Sequence, residues 1–220
     1  MKLPKVNGRR LRQVTVAVVV IAAMAAGWSF VQGFLSFRRD LQTTHLIKLG
    51  DSRAEVAYRL GYPPMVLGAR EPVVIGGKPV GFSSRVFYVT GPKGDENTMP
   101  PSQSANDYNE WMFSPDDVGT DLLVEFDKAD KVRGITCTAH DDNPFACWLA
   151  GRWNGDTEEV VLKLGTPTRT TITDVSKSID YEDIGVGFTL TRGKAYSFRR
   201  TEPTAGEVAI MRRYINTTWP

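Results

Sequence analysis

A chain of 220 residues, 41% hydrophobic and 24% charged, has the make-up of a folded protein, which excludes a disordered or fibrous one. Its formal charge of +2 is unevenly placed: Lys2, Lys5, Arg9, Arg10 and Arg12 precede the first acid, Asp40, and without those five the remainder carries −3. A mildly acidic remainder gives no electrostatic reason to bind nucleic acid.

Residues 14–35 form an uncharged, largely apolar run of 22 positions, close to the ~20 that a helix needs to cross ~30 Å of hydrocarbon. Thr15, Ser29 and Gln32 are its only polar members, and a helix satisfies its own backbone groups in lipid. The basic, acid-free flank predicts that the N-terminus stays in the cytoplasm and that the chain beyond the run is exported. Two readings fit the run. Residues 14–26, with Ala23-Met24-Ala25 inside them, have the form of a cleavable signal. Apolar character continuing through Trp28, Phe30, Val31, Phe34 and Leu35 favours an uncleaved anchor. No cysteine lies within the run or directly after it, which excludes lipid modification there. The expected order is a cytoplasmic basic segment over 1–13, an anchor or uncleaved signal over 14–37 and a linker over 38–45. The main domain then lies in the periplasm or outside the cell, held at the inner (plasma) membrane.

Residues 52–63 and 156–167 align without a gap at an offset of 104. Each copy opens on a capping side chain, Ser52 or Asp156, with Glu55 or Glu159 three residues on, as in a capping box. Val56 and Leu60, or Val160 and Leu164, lie one turn apart on one face. Gly61 and Gly165 supply the stop, and prolines follow two residues later. Two short helices are therefore predicted. Gly76-Gly77-Lys78 reads as a hairpin turn, and residues 86–89 as a strand. Residues 91–120 are rich in Pro, Gly, Ser, Asn and Asp and form a long insertion, a length that is usually functional or disordered. Within it Tyr108, Trp111, Met112 and Phe113 make an apolar island, which either folds back onto the domain or meets a partner.

Period-two alternation predicts a hairpin from residues 123–126 to 131–136, and a second from 186–190 to 195–198, led in by Tyr181 and Ile184. Between them lie the two cysteines, Cys137 and Cys147, which in an oxidising compartment read as a disulfide closing a short loop. His140, Asp141 and Asp142 inside that loop lack the ligand spacing of a metal site. At the C-terminus residues 206–214 suit a helix with Val208, Met211 and Tyr214 on one side. Arg199, Arg200, Arg212 and Arg213 read as solvated charge or a basic patch. The class predicted is α+β: an N-terminal transmembrane helix followed by two helix-plus-antiparallel-sheet repeats.

The segment Ile47-Lys48-Leu49-Gly50-Asp51-Ser52-Arg53-Ala54-Glu55-Val56, with Leu60-Gly61-Tyr62-Pro63-Pro64 after it, resembles the opening of the SmpA/OmlA (BamE-like) domain. Val124-Glu125-Phe126-Asp127 and Lys131-Val132 resemble that family's strand pair. With its second copy the arrangement is similar to the tandem fold of β-lactamase inhibitor proteins. The resemblance implies a first repeat over 46–150 with its insertion at about 91–120, a second over 151–200, and a tail over 201–220. It also implies a binding module exposed to the cell envelope. The chain departs from the family in lacking a lipobox cysteine, and the inhibitors' enzyme-binding residues have no counterparts here.

Catalytic chemistry is hard to assemble from these residues. The two histidines are His45, beside the membrane segment, and His140, in the cysteine loop, and neither is placed for a nucleophile–base pair. No nucleophile elbow, zinc-protease helix or phosphate loop occurs. Asp116-Asp117, Asp141-Asp142 and Glu158-Glu159 are sequence neighbours, which do not face one another across a substrate. The expectation is a non-catalytic, membrane-anchored module without cofactor that binds another envelope protein. The alternatives are a sensor of a small molecule or cell-wall fragment, and a secreted inhibitor-like protein after signal cleavage.

Overall fold

The computed structural model of the chain describes residues 8–44, 46–91, 95–114, 120–139 and 158–218. It divides into two units, Met1–Arg39 and Asp40–Pro220. Helix α1 (Gly8–Gln42) is 35 residues long, and over Thr15–Arg39 it is long and apolar enough to cross a membrane, with a mean hydropathy of 1.9. Val16, Val18, Val19, Ile21, Met24 and Trp28 are all exposed on it. Such an apolar surface is poorly solvated by water and well matched to lipid. The helix continues into the segment expected as a linker and gives way to a small ladder of β1 (Thr43–Thr44) and β2 (Ile47–Lys48).

In the second unit, α2 (Arg53–Leu60) forms where the capping box predicts it. The Ser52 hydroxyl accepts from the Glu55 N–H at 3.3 Å, and the Glu55 carboxylate accepts from the Ser52 N–H at 2.7 Å. The Ser52 N–H and the Ser52 hydroxyl, which also donates to the carboxylate at 2.7 Å, hold the Glu55 carboxyl below its ordinary range. The helix stops at Gly61, whose N–H returns to the Ala57 carbonyl.

Among the described residues, nine strands then build one antiparallel sheet in the order β4-β3-β5-β6-β7-β11-β10-β9-β8. The first hairpin joins β3 (Met65–Ile75) to β4 (Lys78–Tyr88) through Gly76-Gly77, whose φ of 59° and 79° a two-residue hairpin turn requires. Inside the long insertion a 3-10 turn (Ala105–Asp107) leads into β5 (Glu110–Phe113), which pairs with β3 on one side and β6 on the other. The predicted hairpins are β6 (Thr120–Phe126) with β7 (Val132–Ala139), and β10 (Val186–Thr191) with β11 (Lys194–Thr201). The outer strands β8 (Arg169–Ile172) and β9 (Lys177–Tyr181) complete the sheet.

Cross-strand partners share a face, so the register identifies the core directly. One row runs Val66, Trp111, Val124, Ile135, Arg200, Val186, Tyr181; the next runs Phe113, Leu122, Cys137, Phe198, Phe188, Ile179. Every member of both rows is buried. The residues around α3 (Glu158–Leu162) reach this face: Val161 and Leu164 are buried, and the Tyr181 hydroxyl donates to the Val161 and Gly165 carbonyls at 2.8 and 3.1 Å.

Helix α4 (Glu207–Thr218) keeps Tyr214 of the predicted apolar side inward and Met211 half-buried, but leaves Val208 outside and buries Arg213 instead. Val208 is 75% exposed, while Ile210, Arg213 and Tyr214 are buried. The reason lies in Arg213, whose guanidinium donates to the Leu164 carbonyl at 2.8 Å, the Thr166 carbonyl at 2.7 Å and Asp183 at 2.9 Å. It also lies 4.8 Å from the centre of the Tyr181 ring. The Leu164 and Thr166 carbonyls, just beyond α3, thus accept from a cation supplied by α4. The expected basic patch is therefore divided: Arg200 and Arg213 are buried, Arg199 and Arg212 exposed. Asp156, the expected cap of the second helix, lies outside the described residues, as do His45, His140 and Cys147; Cys137 is buried on β7.

Burial pushes the Tyr181 phenol up to about 12, with Arg213 opposing the shift and Asp183 adding to it. Folding thus favours the protonated phenol, a contribution complete below the ordinary value of 10.0 and lost as pH rises toward 12. Tyr181→Phe strands two carbonyls and is expected to lower the unfolding free energy by about 1–3 kcal/mol in urea titrations. The same variant should show a shallower alkaline loss of stability than the wild type.

Candidate functional site

Strand alternation sends every second side chain to the face opposite the core. The central row there reads Met65, Met112, Leu123, Thr136, Arg199, Gly187, Asp180, Arg169. Beside it on one side lie Glu110, Glu125, Gly134 and Thr201, and on the other Asp121, Thr138, Ser197, Thr189, Ser178 and Thr171. Five hydroxyls thus stand in line across five strands, about 4.8 Å apart from strand to strand. Met112, Leu123 and the four hydroxyls from Thr138 to Ser178 are half-buried.

An ion network orders the half built by β8 to β11. The Asp180 carboxylate accepts from Arg169 Nε at 3.2 Å and Nη2 at 3.1 Å, and from Arg199 Nη2 at 3.5 Å. Arg169 also stands 3.3 Å from Glu182. Asp180 and Arg199 lie on strands separated by β10, so the carboxylate has to lean across the strand between them. Gly187 makes that possible: a Cβ there would lie 2.5 Å from Asp180 Oδ1. The β6–β7 hairpin has a similar arrangement, with Glu125 opposite Gly134 and Arg133 Nε 3.5 Å from Glu125. Asp180 is a largely buried carboxylate with a cation on each side, whereas the Arg169 and Arg199 side chains are 56% and 46% exposed. The face therefore offers fixed cations, a row of hydroxyls and two half-buried apolar side chains. Among the described residues no three of His, Cys, Asp or Glu come together as a metal cluster.

The four aromatic and apolar residues of the insertion divide between the two faces. Trp111 and Phe113 are buried in the core; Trp111 Nε1 donates to the Ala105 carbonyl at 2.8 Å, and its ring meets Phe126 edge-on with centroids 4.9 Å apart. Met112 sits on the open face. Tyr108 is half-buried beside Phe87, with centroids 5.7 Å apart, and its phenol is raised by burial and by Asp107.

A concavity of about 400 Å³ lies beside α2, lined by Ser52, Arg53, Ala54, Ala57, Tyr62, Asn106, Trp111 and Asp130. Arg53 is fully engaged within it. It donates to Asp130 at 2.7 Å, to the Tyr108 carbonyl at 2.5 Å and to Asn109 at 3.0 Å, and lies 4.5 Å from the centre of the Phe126 ring. This arginine ties helix, insertion and hairpin turn together.

No protein-family profile and no curated protein matches the chain. Among solved structures it is similar to the crystal structure of a DUF4309 family protein (YjgB) from Bacillus subtilis subsp. subtilis str. 168. The similarity has 11% identity and a TM-score of 0.43, over 77% of this chain and 92% of that one.

Gly187→Val should force the Asp180 carboxylate off β10 and leave Arg169 and Arg199 without their common counter-charge. Its expected cost is about 1–3 kcal/mol in thermal unfolding, the size of an overpacked or unpaired polar site. An unchanged melting temperature would show that the network carries no structural weight.

Proposed function

We propose that this chain is a single-pass membrane protein, N-terminus in the cytoplasm, whose exported domain binds another envelope protein through the open face of its sheet. The observation that carries the reading is the ordered open face itself: Arg169, Asp180 and Arg199 fixed across four strands, beside a hydroxyl row and half-buried Met112 and Leu123. Fixed cations and adaptable hydroxyls around an apolar centre are the ingredients of a protein contact. The acid-free flank of α1 supports the orientation.

The tandem BamE-like reading adds support. Strands β3, β5, β6 and β7 follow α2, and strands β8, β9, β10 and β11 follow α3; β7 and β11 pair with each other. In this reading β4 and the part of the insertion before β5 are additions to the first repeat, and the module is non-catalytic. Membrane topology is tested together with the contact. A photo-crosslinker at Met112 or Ser197 of the full chain in native membranes should capture one dominant protein. Arg199→Glu should reduce that capture by about tenfold, the scale of a lost charge contact. Equal capture from Tyr58, on the exposed side of α2, would overturn the choice of face.

A small-molecule reading is favoured by one observation, the concavity of about 400 Å³ beside α2, which falls in the size range of ligand sites. A ligand-dependent rise in melting temperature that disappears in Tyr62→Ala would support it.

The same envelope location implies that Cys137 and Cys147 are joined. Protein isolated from membranes and alkylated without reduction should carry no label on either cysteine, and label on both would overturn the pairing.

A further inference from the structure

The β3–β4 hairpin outgrows the sheet that holds it. β5 pairs with β3 only at Met65, Val66 and Leu67, whereas β3 and β4 go on pairing from Arg70 with Ser84 to Ile75 with Lys78. A register shift between Leu67 and Arg70 marks the departure. Six further residues at roughly 3.3 Å each make an arm about 20 Å long with no third strand beside it among the described residues. A lone two-stranded ribbon is marginally stable in water, so the arm needs a surface to rest on.

Its chemistry selects that surface. Residues 72–82 read Pro-Val-Val-Ile-Gly-Gly-Lys-Pro-Val-Gly-Phe, and Lys78 is their only charge. Val73 and Val74 are 37% and 56% exposed, and Lys78 is exposed beside the turn. No acid occurs between Glu71 and Asp95, while Lys78, Arg85 and Lys93 fall in that interval; Arg85 turns back toward Glu96. Pro72 and Pro79 lack the N–H that an added strand would need, which argues against pairing with another protein's strand. The candidate span ends at Arg39 and the second unit begins at Asp40, so no spacer residues separate them in sequence. The domain therefore stays beside whatever bilayer the span occupies.

We propose that the β3–β4 arm is a second membrane contact, with Val73, Val74 and the Gly76-Gly77 turn entering the interfacial layer and Lys78 meeting anionic headgroups. The arrangement follows the rule that membrane attachment is strengthened by pairing apolar insertion with basic charge. The inference rests on the anchored reading of α1 and gives the domain a two-point attachment that limits its rotation.

The test uses the full chain in vesicles of phosphatidylethanolamine and phosphatidylglycerol. An environment-sensitive fluorophore is placed on Val74→Cys, on Lys128→Cys at the β6–β7 turn, or on Val20→Cys within the span, and the unsubstituted chain sets the background. Brominated lipid is expected to quench the Val74 label at least about threefold more than the Lys128 label, and Lys78→Glu to weaken that quenching. Quenching at Val20 without quenching at Val74 overturns the arm's role and leaves the anchor intact. No quenching at Val20 overturns the anchored reading and the arm with it. A blue-shifted Val74 label that brominated lipid does not quench places the arm against protein and also overturns the proposal.

Discussion

The pairing of β7 with β11 is the constraint on which the rest of this domain depends. Five residue pairs, from Ser197 with Thr138 to Thr201 with Gly134, join five strands on one side to four on the other. Because the two strands meet in a fixed register, Ile135 lines up with Arg200 and Cys137 with Phe198, and the core rows run unbroken through the junction. A slip of one residue would send every core side chain of one half to the opposite face. The same register aligns Thr136 with Arg199 and Thr138 with Ser197, so the open face is continuous for the same reason that the core is.

Helices are fixed to this sheet by arginines as much as by apolar contact. Arg53 fastens the start of α2 to the insertion and to the β6–β7 turn, stacked near Phe126. Arg213 fastens α4 to the end of α3, stacked on Tyr181. In each case a desolvated guanidinium meets a carboxylate, backbone or amide oxygens and an aromatic ring together. Burying a cation is costly unless its donors are satisfied in this way. The geometry favours one placement of each helix, since a shifted helix would forfeit several charge-assisted bonds at once.

Much of this architecture is written in local patterns. The Ser52–Glu55 capping box, the Gly61 stop, the Gly76-Gly77 turn and the two alternating hairpins all form where short-range rules put them. The long hairpin was only partly legible, because residues 65–75 carry a glycine and a proline that break period-two alternation. The Trp111 and Phe113 alternation was present, yet a strand of four residues inside a polar insertion is too short to announce its two neighbours. The open-face network was not legible at all. Arg169, Asp180, Gly187 and Arg199 become neighbours only through register across four strands, and a glycine needed for its missing side chain leaves no pattern. The buried faces of Arg200 and Arg213 were misjudged for a related reason: composition reports charge, while acceptors arrive from distant elements.

The junction strands also set a schedule for the growing chain. Thr138 and Ser197 are 59 residues apart, so β7 is made well before the strand that will cover its edge. During that interval the first half presents a bare row of backbone donors and acceptors flanked by Ile135 and Cys137. An edge of this kind is where incompletely folded chains associate, so folding is safest when β11 reaches β7 without delay.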